Sequence, residues 1–410
     1  MMKKKLLILF FALALNFSFA QETTVNLSLG AGYANEVYYK LSSQTETIFD
    51  ASSWDVAFLR TDPFNHGVRI NDGIGTLVFE ASNNPADWNS IDINDEALWT
   101  PLYNDDTNWD NGAFMQGSAT FGWGEYNPVN HHIEGAIIFV LKYTNGTYRK
   151  FFIEDYFDEY TFRYATWNGS NWVNEQTVTI DNANNPNNRY NYYSLEDDQE
   201  VVAEPALADW DFVFRKYDTF LDPPGQYYNV TGTLQNPTVT VAQNEETGSA
   251  DPNGLTYSEE INIIGYDWKE FTGSWTVYSD QKYYVRYADN SVYRLYFTDF
   301  GGSTTGNLTM VFEDVSDLLG FEEVAEGVSF GMYPNPSNGM VNIIYDVTSS
   351  SDSNGIEVYN LAGSKVYSAE ANSANGFYNK TLNLSELSSG VYLVTFTSGT
   401  QTVTKKLIIK

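Results

Sequence analysis

The chain has 410 residues, of which 42 % are apolar and 16 % aromatic, enough to bury a substantial core in more than one domain. Its 22 basic and 53 acidic residues give a net charge of −31, which makes nucleic acid and anionic membrane surfaces poor partners. There is no cysteine, so disulfides and a cysteine-linked lipid anchor are excluded, and stability must come from burial alone.

The first twenty residues predict a signal peptide. Lysines at residues 3–5 form a basic region, residues 6–15 form an apolar run, and Ala20 ends a cleavage site of small residues. The apolar run is too short to span a bilayer. We therefore expect cleavage before Gln21 and no membrane span in the mature chain.

Residues 21–312 predict an all-β domain. They are rich in Tyr, Thr, Val, Phe and Asn, and turn pairs such as Asn145-Gly146 and Asn168-Gly169 interrupt them. The clearest signal is a hairpin, because β-rich runs at residues 137–143 and 148–153 flank the turn pair Asn145-Gly146. No stretch sustains a helical period over three turns.

The same segment contains an internal repeat. Residues 54–58 (Trp-Asp-Val-Ala-Phe) recur at residues 210–214, and residues 142–156 recur at residues 286–300. We therefore predict one antiparallel sheet assembly built from two repeats, at about residues 21–165 and 200–312.

Each repeat places an aspartate directly after a tryptophan. In a strand, the tryptophan and the third residue would face one side and the aspartate the other. Asp55 and Asp211 are therefore candidates for a site. The preferred interpretation is structural, in which each aspartate caps a turn or pairs with Arg60 or Arg215.

The segment from residue 330 to residue 410 predicts a small Ig-like β-sandwich, in which tight turns separate short strands with alternating apolar residues. The order of its motifs, at residues 333–336, 356–363, 387–394 and 405–410, closely resembles the type A C-terminal sorting domain of the type IX secretion system of Bacteroidetes. The resemblance implies delivery to the cell surface or medium, with the secretion machinery as partner. Residues 313–329 are predicted to be an acidic linker.

Three strand motifs at residues 36–41, 53–58 and 68–73, together with the hairpin at residues 143–156, resemble the HmuY family. Members of that family are exported all-β haem-binding proteins of Bacteroidetes. The resemblance covers residues 25–312 and implies an HmuY-like fold and haem as the cofactor. No ligand motif of the family aligns with a position in this chain.

Haem iron is commonly bound by His or Met side chains in an apolar, aromatic cleft. The candidate ligands are His131 and His132, which follow an aromatic stretch, with His66 or Met115 as a second donor. Neighbours on a strand point to opposite faces, so at most one of His131 and His132 enters a given pocket. The ordinary alternative is that each histidine is a loop or surface residue.

The sequence contains no nucleophile elbow, zinc-binding histidine pair, phosphate loop or cysteine nucleophile, so we expect a protein that is not an enzyme. Acidic runs at residues 94–96, 104–106 and 196–198 are candidates for structural calcium.

The first hypothesis for the function is a haemophore-like haem-binding protein. The alternative is a surface-interaction or glycan-binding protein that stacks sugars on exposed aromatic residues, chosen from Trp99, Tyr103, Trp109, Trp123, Trp167 and Trp172.

Overall fold

The computed structural model describes residues 22–60, 65–318, 328–347, 354–399 and 401–410, so the predicted signal peptide lies outside the described residues. The described residues of Met1–Ser316 and those of Asp317–Lys410 form two compact units. The all-β prediction is confirmed, because antiparallel strands dominate both units.

The larger unit is built from strands that are numbered here in chain order: β1 Thr23–Ser28, β2 Asn35–Lys40, β3 Thr45–Asp50, β4 Val56–Leu59, β5 Val68–Ile70, β6 Leu77–Ser82, β7 Thr100–Leu102, β8 Gly124–Asn127, β9 His132–Gly135, β10 Ile138–Lys142, β11 Tyr148–Tyr156, β12 Glu159–Trp167, β13 Trp172–Asp181, β14 Tyr190–Ser194, β15 Gln199–Val201, β16 Phe212–Leu221, β17 Gln226–Gln235, β18 Thr240–Glu245, β19 Lys269–Phe271, β20 Trp275–Val277, β21 Gln281–Arg286, β22 Val292–Phe300 and β23 Asn307–Asp314. A helical turn, α1, covers Gly302–Thr305, and single 3₁₀ turns cover Ala31–Tyr33, Asp72–Ile74, Pro85–Asn89, Ile93–Leu98, Ala113–Gln116, Leu207–Asp209 and Ser316–Leu318.

Two β-sandwiches, lobe A and lobe B, make up most of this unit. Lobe A packs the sheet β13-β12-β11-β10-β6-β7, extended by β8 and β9, onto the sheet β15-β14-β4-β5. Lobe B packs the sheet β1-β23-β22-β21-β18 onto the sheet β17-β16-β2-β3. A third apolar cluster, the central core, joins the two four-stranded sheets. The order of layers is therefore large sheet, small sheet, small sheet, large sheet.

The N-terminal strands complete lobe B. Strand β1 pairs with β23, with Val25 opposite Met310, and β2 pairs with β16, with Val37 opposite Phe214. The predicted first repeat, residues 21–165, therefore does not coincide with lobe A, because its first three strands belong to the other lobe. With β1 included, the order β1-β23-β22-β21-β18 in lobe B corresponds to the order β13-β12-β11-β10-β6 in lobe A. The internal repeat itself stays a prediction.

The hairpin predicted at Asn145-Gly146 is confirmed. Strands β10 and β11 pair antiparallel, with Phe139 opposite Phe151. Farther along β11 the pairing with β12 shifts register between Ile153 and Asp155, and β22 shifts against β23 between Phe297 and Asp299, 144 residues later. The two lobes therefore share a bulge as well as a strand order.

Strands β4 and β16 are buried on both faces. In β4, Val56 and Phe58 pack into the core of lobe A, whereas Ala57 packs into the central core. Strand β16 repeats this alternation between the core of lobe B and the central core. Burial on both faces explains why both strands have continuous apolar runs in the sequence.

Trp54 and Trp210 both lie in the central core and are only 2 % and 1 % exposed. The prediction that each tryptophan shares a face with the third residue is wrong, since Val56 packs into lobe A instead. Strand β4 begins only at Val56, so Trp54 precedes it and the two-residue alternation does not reach the tryptophan.

Asp55 and Asp211 have a structural role in strand connection. The Asp55 carboxylate accepts a hydrogen bond from the backbone N–H of Leu195 at 2.6 Å, and Asp211 accepts the matching bond from Leu41 at 2.8 Å. Asp211 also pairs with Nζ of Lys40 at 2.7 Å. Each aspartate therefore ties its own strand to the end of the neighbouring strand.

The arginines predicted to pair with these aspartates bind elsewhere. Arg60 donates to backbone carbonyls, including that of Asn188 at 2.7 Å. Arg215 is buried between two other carboxylates, Glu36 at 3.2 Å and Asp72 at 3.1 Å. Both predicted pairings are wrong, because sequence proximity to an aspartate does not fix the direction in which a long side chain points.

The smaller unit is a two-layer β-sandwich, as predicted. Sheet β24-β25-β28 and sheet β27-β26-β29-β30 share one apolar core. Their strands are β24 Val328–Tyr333, β25 Met340–Val347, β26 Asn354–Asn360, β27 Lys365–Ala371, β28 Gly376–Asn383, β29 Gly390–Ser398 and β30 Gln401–Ile409. The first two residues of the predicted linker, Glu313 and Asp314, end β23, and residues 319–327 lie outside the described residues.

Glu204 is a carboxyl buried at the edge of the central core. It accepts hydrogen bonds from the backbone N–H of Tyr190 at 2.7 Å and from the hydroxyl of Tyr192 at 3.1 Å. Burial raises the pKa of Glu204 from 4.5 to about 7, although these hydrogen bonds oppose the shift. The folded chain therefore keeps this proton over a pH range in which the unfolded chain has lost it.

We expect the variant Glu204→Gln to become more stable relative to the wild type as pH rises. The raised pKa means that Glu204 contributes stability below pH 4.5 that is lost as pH rises towards 7. Because one pKa unit corresponds to about 1.4 kcal/mol, the relative gain between about pH 4 and about pH 8 approaches 3 kcal/mol. Urea unfolding monitored by tryptophan fluorescence measures it, since every tryptophan lies in the larger unit.

The exposed Glu200→Gln is the matched control and should give a difference from wild type that varies little with pH. Parallel pH profiles for Glu204→Gln and the wild type would contradict the assignment.

Candidate functional site

The three histidines of the chain gather at one end of lobe A. This region, the histidine edge, consists of His66, His131 and His132 together with Phe121, Tyr126 and Phe157. It is built where β8 and β9 pair with each other and β9 pairs with the last two residues of β11.

His66 lies in the loop before β5, as the ordinary alternative allowed, but it is buried and only 6 % exposed. Its ring lies 5.5 Å from that of Phe121, 5.8 Å from that of Trp123 and 6.2 Å from that of Tyr156. The sequence could not show this burial, because these aromatic residues lie at least 55 positions away along the chain.

His131 and His132 have different partners. Nδ1 of His131 lies 2.6 Å from the hydroxyl of Tyr126, and His131 has a left-handed backbone with φ of +66°. Nδ1 of His132 lies 2.7 Å from a carboxylate oxygen of Asp155, and its ring is parallel to that of Phe157 at 4.7 Å. The Asp155 contact fixes the orientation of the His132 ring and leaves Nε2 for a ligand.

Met115 is half-buried in the 3₁₀ turn Ala113–Gln116 and packs against the core of lobe A. Its backbone lies against Gly122, where φ is +74° and an added Cβ would sit 2.5 Å from the Met115 Cα. Gly122 is therefore required for this close approach. Met115 and His66 contact the same segment, residues 121–123.

The acidic side chains beside the histidines are those of Asp155 and Glu134. Asp155 contacts His132 directly. Hydrogen bonds from Asn127 and Asn130 lower the pKa of Glu134, which lies in the same strand as His132. This environment favours a cationic ligand and opposes an anionic one.

A second region, the tyrosine cleft, lies between the two lobes. It has a volume of about 470 Å³ and is formed by the end of β7, the loop that follows it and the start of β17. Its lining residues are Pro101, Leu102, Tyr103, Asn104, Asp105, Asp106, Asn111, Gln116 and Tyr227.

The aromatic wall of the tyrosine cleft is a pair of stacked rings. The rings of Tyr103 and Tyr227 are 3.6 Å apart at an angle of 6°. Phe220 lies opposite Tyr227 in the β16–β17 hairpin and packs its ring edge-on at 5.3 Å. Tyr227 nevertheless remains 40 % exposed, so the wall presents aromatic surface to a ligand.

Asp105 and Asp106 supply carboxylates to the same cleft. The backbone N–H and hydroxyl of Thr107 donate to Asp105 at 2.8 and 2.7 Å, and Asn111 donates at 3.1 Å. Burial alone would raise the pKa of Asp105, but these hydrogen bonds outweigh it and lower the pKa. Asp105 is therefore ionised at neutral pH.

The electrostatic field at the aromatic wall is negative. Burial raises the pKa of Tyr227, and the carboxylates of Asp106, Asp105 and Asp218 raise it further. Burial, followed by repulsion from Asp72, raises the pKa of Asp218 itself to about 6. The cleft thus offers hydrogen-bond acceptors and negative charge beside an aromatic surface.

The other aromatic candidates divide by burial. Trp109 and Trp123 are core residues, and Trp99, Trp167 and Trp172 are half-buried. Only Tyr103, of the aromatic residues proposed for sugar stacking, lines the tyrosine cleft. Sequence reasoning missed Tyr227 and Phe220, although their position beside the Pro223-Pro224-Gly225 turn of a long hairpin was a usable signal.

The acidic runs proposed for calcium bind protein groups. Glu96 accepts from Lys142 at 2.6 Å, Asn104 donates to the Ile70 carbonyl at 2.8 Å, and Asp198 accepts from the Tyr164 hydroxyl at 2.6 Å. Within the part of the chain that the structure describes, no group of three or more His, Asp or Glu side chains is arranged to hold a metal ion. Structural calcium stays a prediction.

Residues 331–410 match the secretion system C-terminal sorting domain. The predicted sorting domain is thereby confirmed, and it marks the chain as a protein exported by type IX secretion to the cell surface or medium. No curated protein matches the chain, so the HmuY resemblance of residues 25–312 stays a prediction. Among the described residues, no helix has the length and apolar character needed to cross a membrane.

We expect deletion of residues 330–410 to retain the protein in the periplasm, because the segment matched to the sorting domain is then lost. Immunoblots of the periplasm, cell surface and medium measure the distribution. A matched control is Tyr227→Ala in the full chain, which should be exported normally. Normal amounts of truncated chain on the surface or in the medium would show that the signal lies elsewhere.

Proposed function

We propose that this exported protein is a non-enzymatic carbohydrate-binding protein whose ligand site is the tyrosine cleft. The observation that carries the proposal is the flat stack of Tyr103 on Tyr227 beside carboxylate and amide side chains. The glycan-binding alternative of the sequence analysis thus takes precedence over the haem hypothesis.

Sugar chemistry matches these groups. A pyranose ring has a face of C–H groups that packs on an aromatic ring, and a rim of hydroxyls that donate and accept hydrogen bonds. In the cleft, the exposed part of Tyr227 supplies the aromatic surface, and Asp106, Asn111 and Gln116 supply polar groups around it. A volume of about 470 Å³ is suited to one or two sugar rings.

The expected effect of Tyr227→Ala is a loss of glycan affinity of about tenfold. Aromatic stacking contributes about 0.5–1.5 kcal/mol beyond buried area, and about 1.4 kcal/mol corresponds to a factor of ten. Affinity electrophoresis of the full chain through gels that contain neutral polysaccharides identifies a bound glycan, and calorimetry with its oligosaccharide gives the dissociation constant.

Tyr228→Ala is the matched control, because Tyr228 is the next residue of β17, is 43 % exposed and points to the opposite face of the hairpin. It should bind like the wild type. Equal losses in both variants, or no glycan binding by the wild type, would refute the proposal.

Haem is a second candidate ligand, and the geometry of His132 supports it. Asp155 holds Nδ1 of His132, which is the arrangement that orients imidazoles bound to metals, and Nε2 would be the iron ligand. When bound, haem would supply an iron centre that takes axial ligands. The carboxylates around the histidine edge oppose the haem propionates, which is why haem comes second.

If haem binds here, His132→Ala should abolish the Soret shift that haemin gives with the wild-type chain. His131→Ala is the matched control and should keep it, because His131 has a different partner, Tyr126. An unchanged Soret band in His132→Ala, or no spectral change with the wild type, would remove this candidate.

A further inference from the structure

We infer that the tyrosine cleft selects glycans that carry free amino groups and rejects glycans that carry carboxylate or sulfate groups. This inference rests on the carbohydrate-binding function proposed above and names the class of glycan. It follows from which charged groups face the cleft and which are turned away from it.

Asp106 is the carboxylate with capacity for a ligand. The hydroxyl of Thr219 donates to Oδ2 of Asp106 at 2.5 Å, and the amide of Asn262 donates to the same oxygen at 3.2 Å. Both bonds come from lobe B, and they fix the carboxylate in the cleft between the lobes. Because both use Oδ2, Oδ1 is left to accept from an ammonium group.

Asp105 adds negative charge to the cleft, but its own oxygens do not bind the ligand. Its two oxygens are already engaged by Thr107 and Asn111, so it is held in place and ionised. Two adjacent carboxylates therefore face the cleft, and the stacked tyrosines present only aromatic surface and hydroxyls.

The neighbouring cation, Arg69, helps to lower the pKa of Asp105 from behind the loop, but it does not line the cleft. Its side chain is buried, and its guanidinium donates to the backbone carbonyls of Asp105 at 2.9 Å, Asn108 at 2.8 Å and Trp109 at 3.1 Å. All of these acceptors belong to the loop behind the cleft. Arg69 thus holds the loop in shape. None of the residues that line the cleft is a lysine or arginine, so an anionic sugar would meet carboxylates there.

The test compares two ligands with the same sugar backbone, one with free cationic amino groups and one in which these groups are acetylated and neutral. Isothermal calorimetry of the full chain uses the tetramer of glucosamine and the tetramer of N-acetylglucosamine, below the pKa of the sugar amine, with tetragalacturonate as the anionic ligand. A charge-assisted hydrogen bond to Asp106 should favour the amino tetramer roughly five- to tenfold over the acetylated one. Tetragalacturonate should show no binding.

Asp106→Asn removes the charge and keeps the shape, so it should abolish the preference for the amino tetramer. Asp95→Asn is the matched control, because it removes one exposed charge outside the cleft and should keep the preference. Tyr227→Ala separates binding in the cleft from general attraction to an acidic protein, since only binding in the cleft needs the tyrosine. Tryptophan fluorescence confirms that each variant is folded.

If the wild type binds both tetramers with equal affinity and Tyr227→Ala loses this binding, the charge selectivity is overturned but the carbohydrate-binding function stands. Binding of tetragalacturonate in the cleft would do the same. A preference for the amino tetramer that survives Tyr227→Ala or Asp106→Asn would also overturn the charge selectivity of the cleft, because the preference would then reflect general attraction to an acidic protein. Failure of every glycan to bind would instead refute the proposed function.

Discussion

The burial of β4 and β16 on both faces is the constraint on which the larger unit depends. Each strand contributes alternate side chains to the core of its own lobe and to the central core, where Trp54 and Trp210 lie. The two lobes therefore share a core and are not separate domains on a linker. A chain without disulfides obtains its stability from this continuous burial.

The central core also positions the tyrosine cleft. Trp109, in the loop that follows Tyr103, inserts into this core against Trp210, and its indole N–H donates to the Gln235 carbonyl at 2.8 Å. The hydroxyl of Tyr190 donates to the Trp109 carbonyl at 2.5 Å. The loop that carries the acidic side of the cleft is thus anchored to both lobes. Since the aromatic wall joins Tyr103 of lobe A to a tyrosine of lobe B, the cleft exists only when the lobes are assembled.

The sequence predicted what depends on local pattern and failed where distant segments meet. The hairpin at Asn145-Gly146 follows from turn chemistry, and the sorting domain follows from an ordered set of short motifs. The placement of β1 in lobe B needs Val25 to pair with Met310, which no local pattern signals. In the same way, the sequence offers Tyr103 as one of six candidates for sugar stacking, but it does not show that Tyr227, which stacks on Tyr103, comes from the other lobe.

Resemblance in framework motifs argues for a fold, whereas the ligand depends on the side chains that a fold displays. The histidine edge and the tyrosine cleft share no lining residue, so the two proposed sites can be tested separately by mutation. The same negative field acts on both regions of a chain whose net charge is −31. It would oppose the propionates of haem at the histidine edge, and it would attract an amine at the tyrosine cleft. Electrostatics therefore ranks the two proposed ligands, even though the histidines are positioned for the one and the tyrosines for the other.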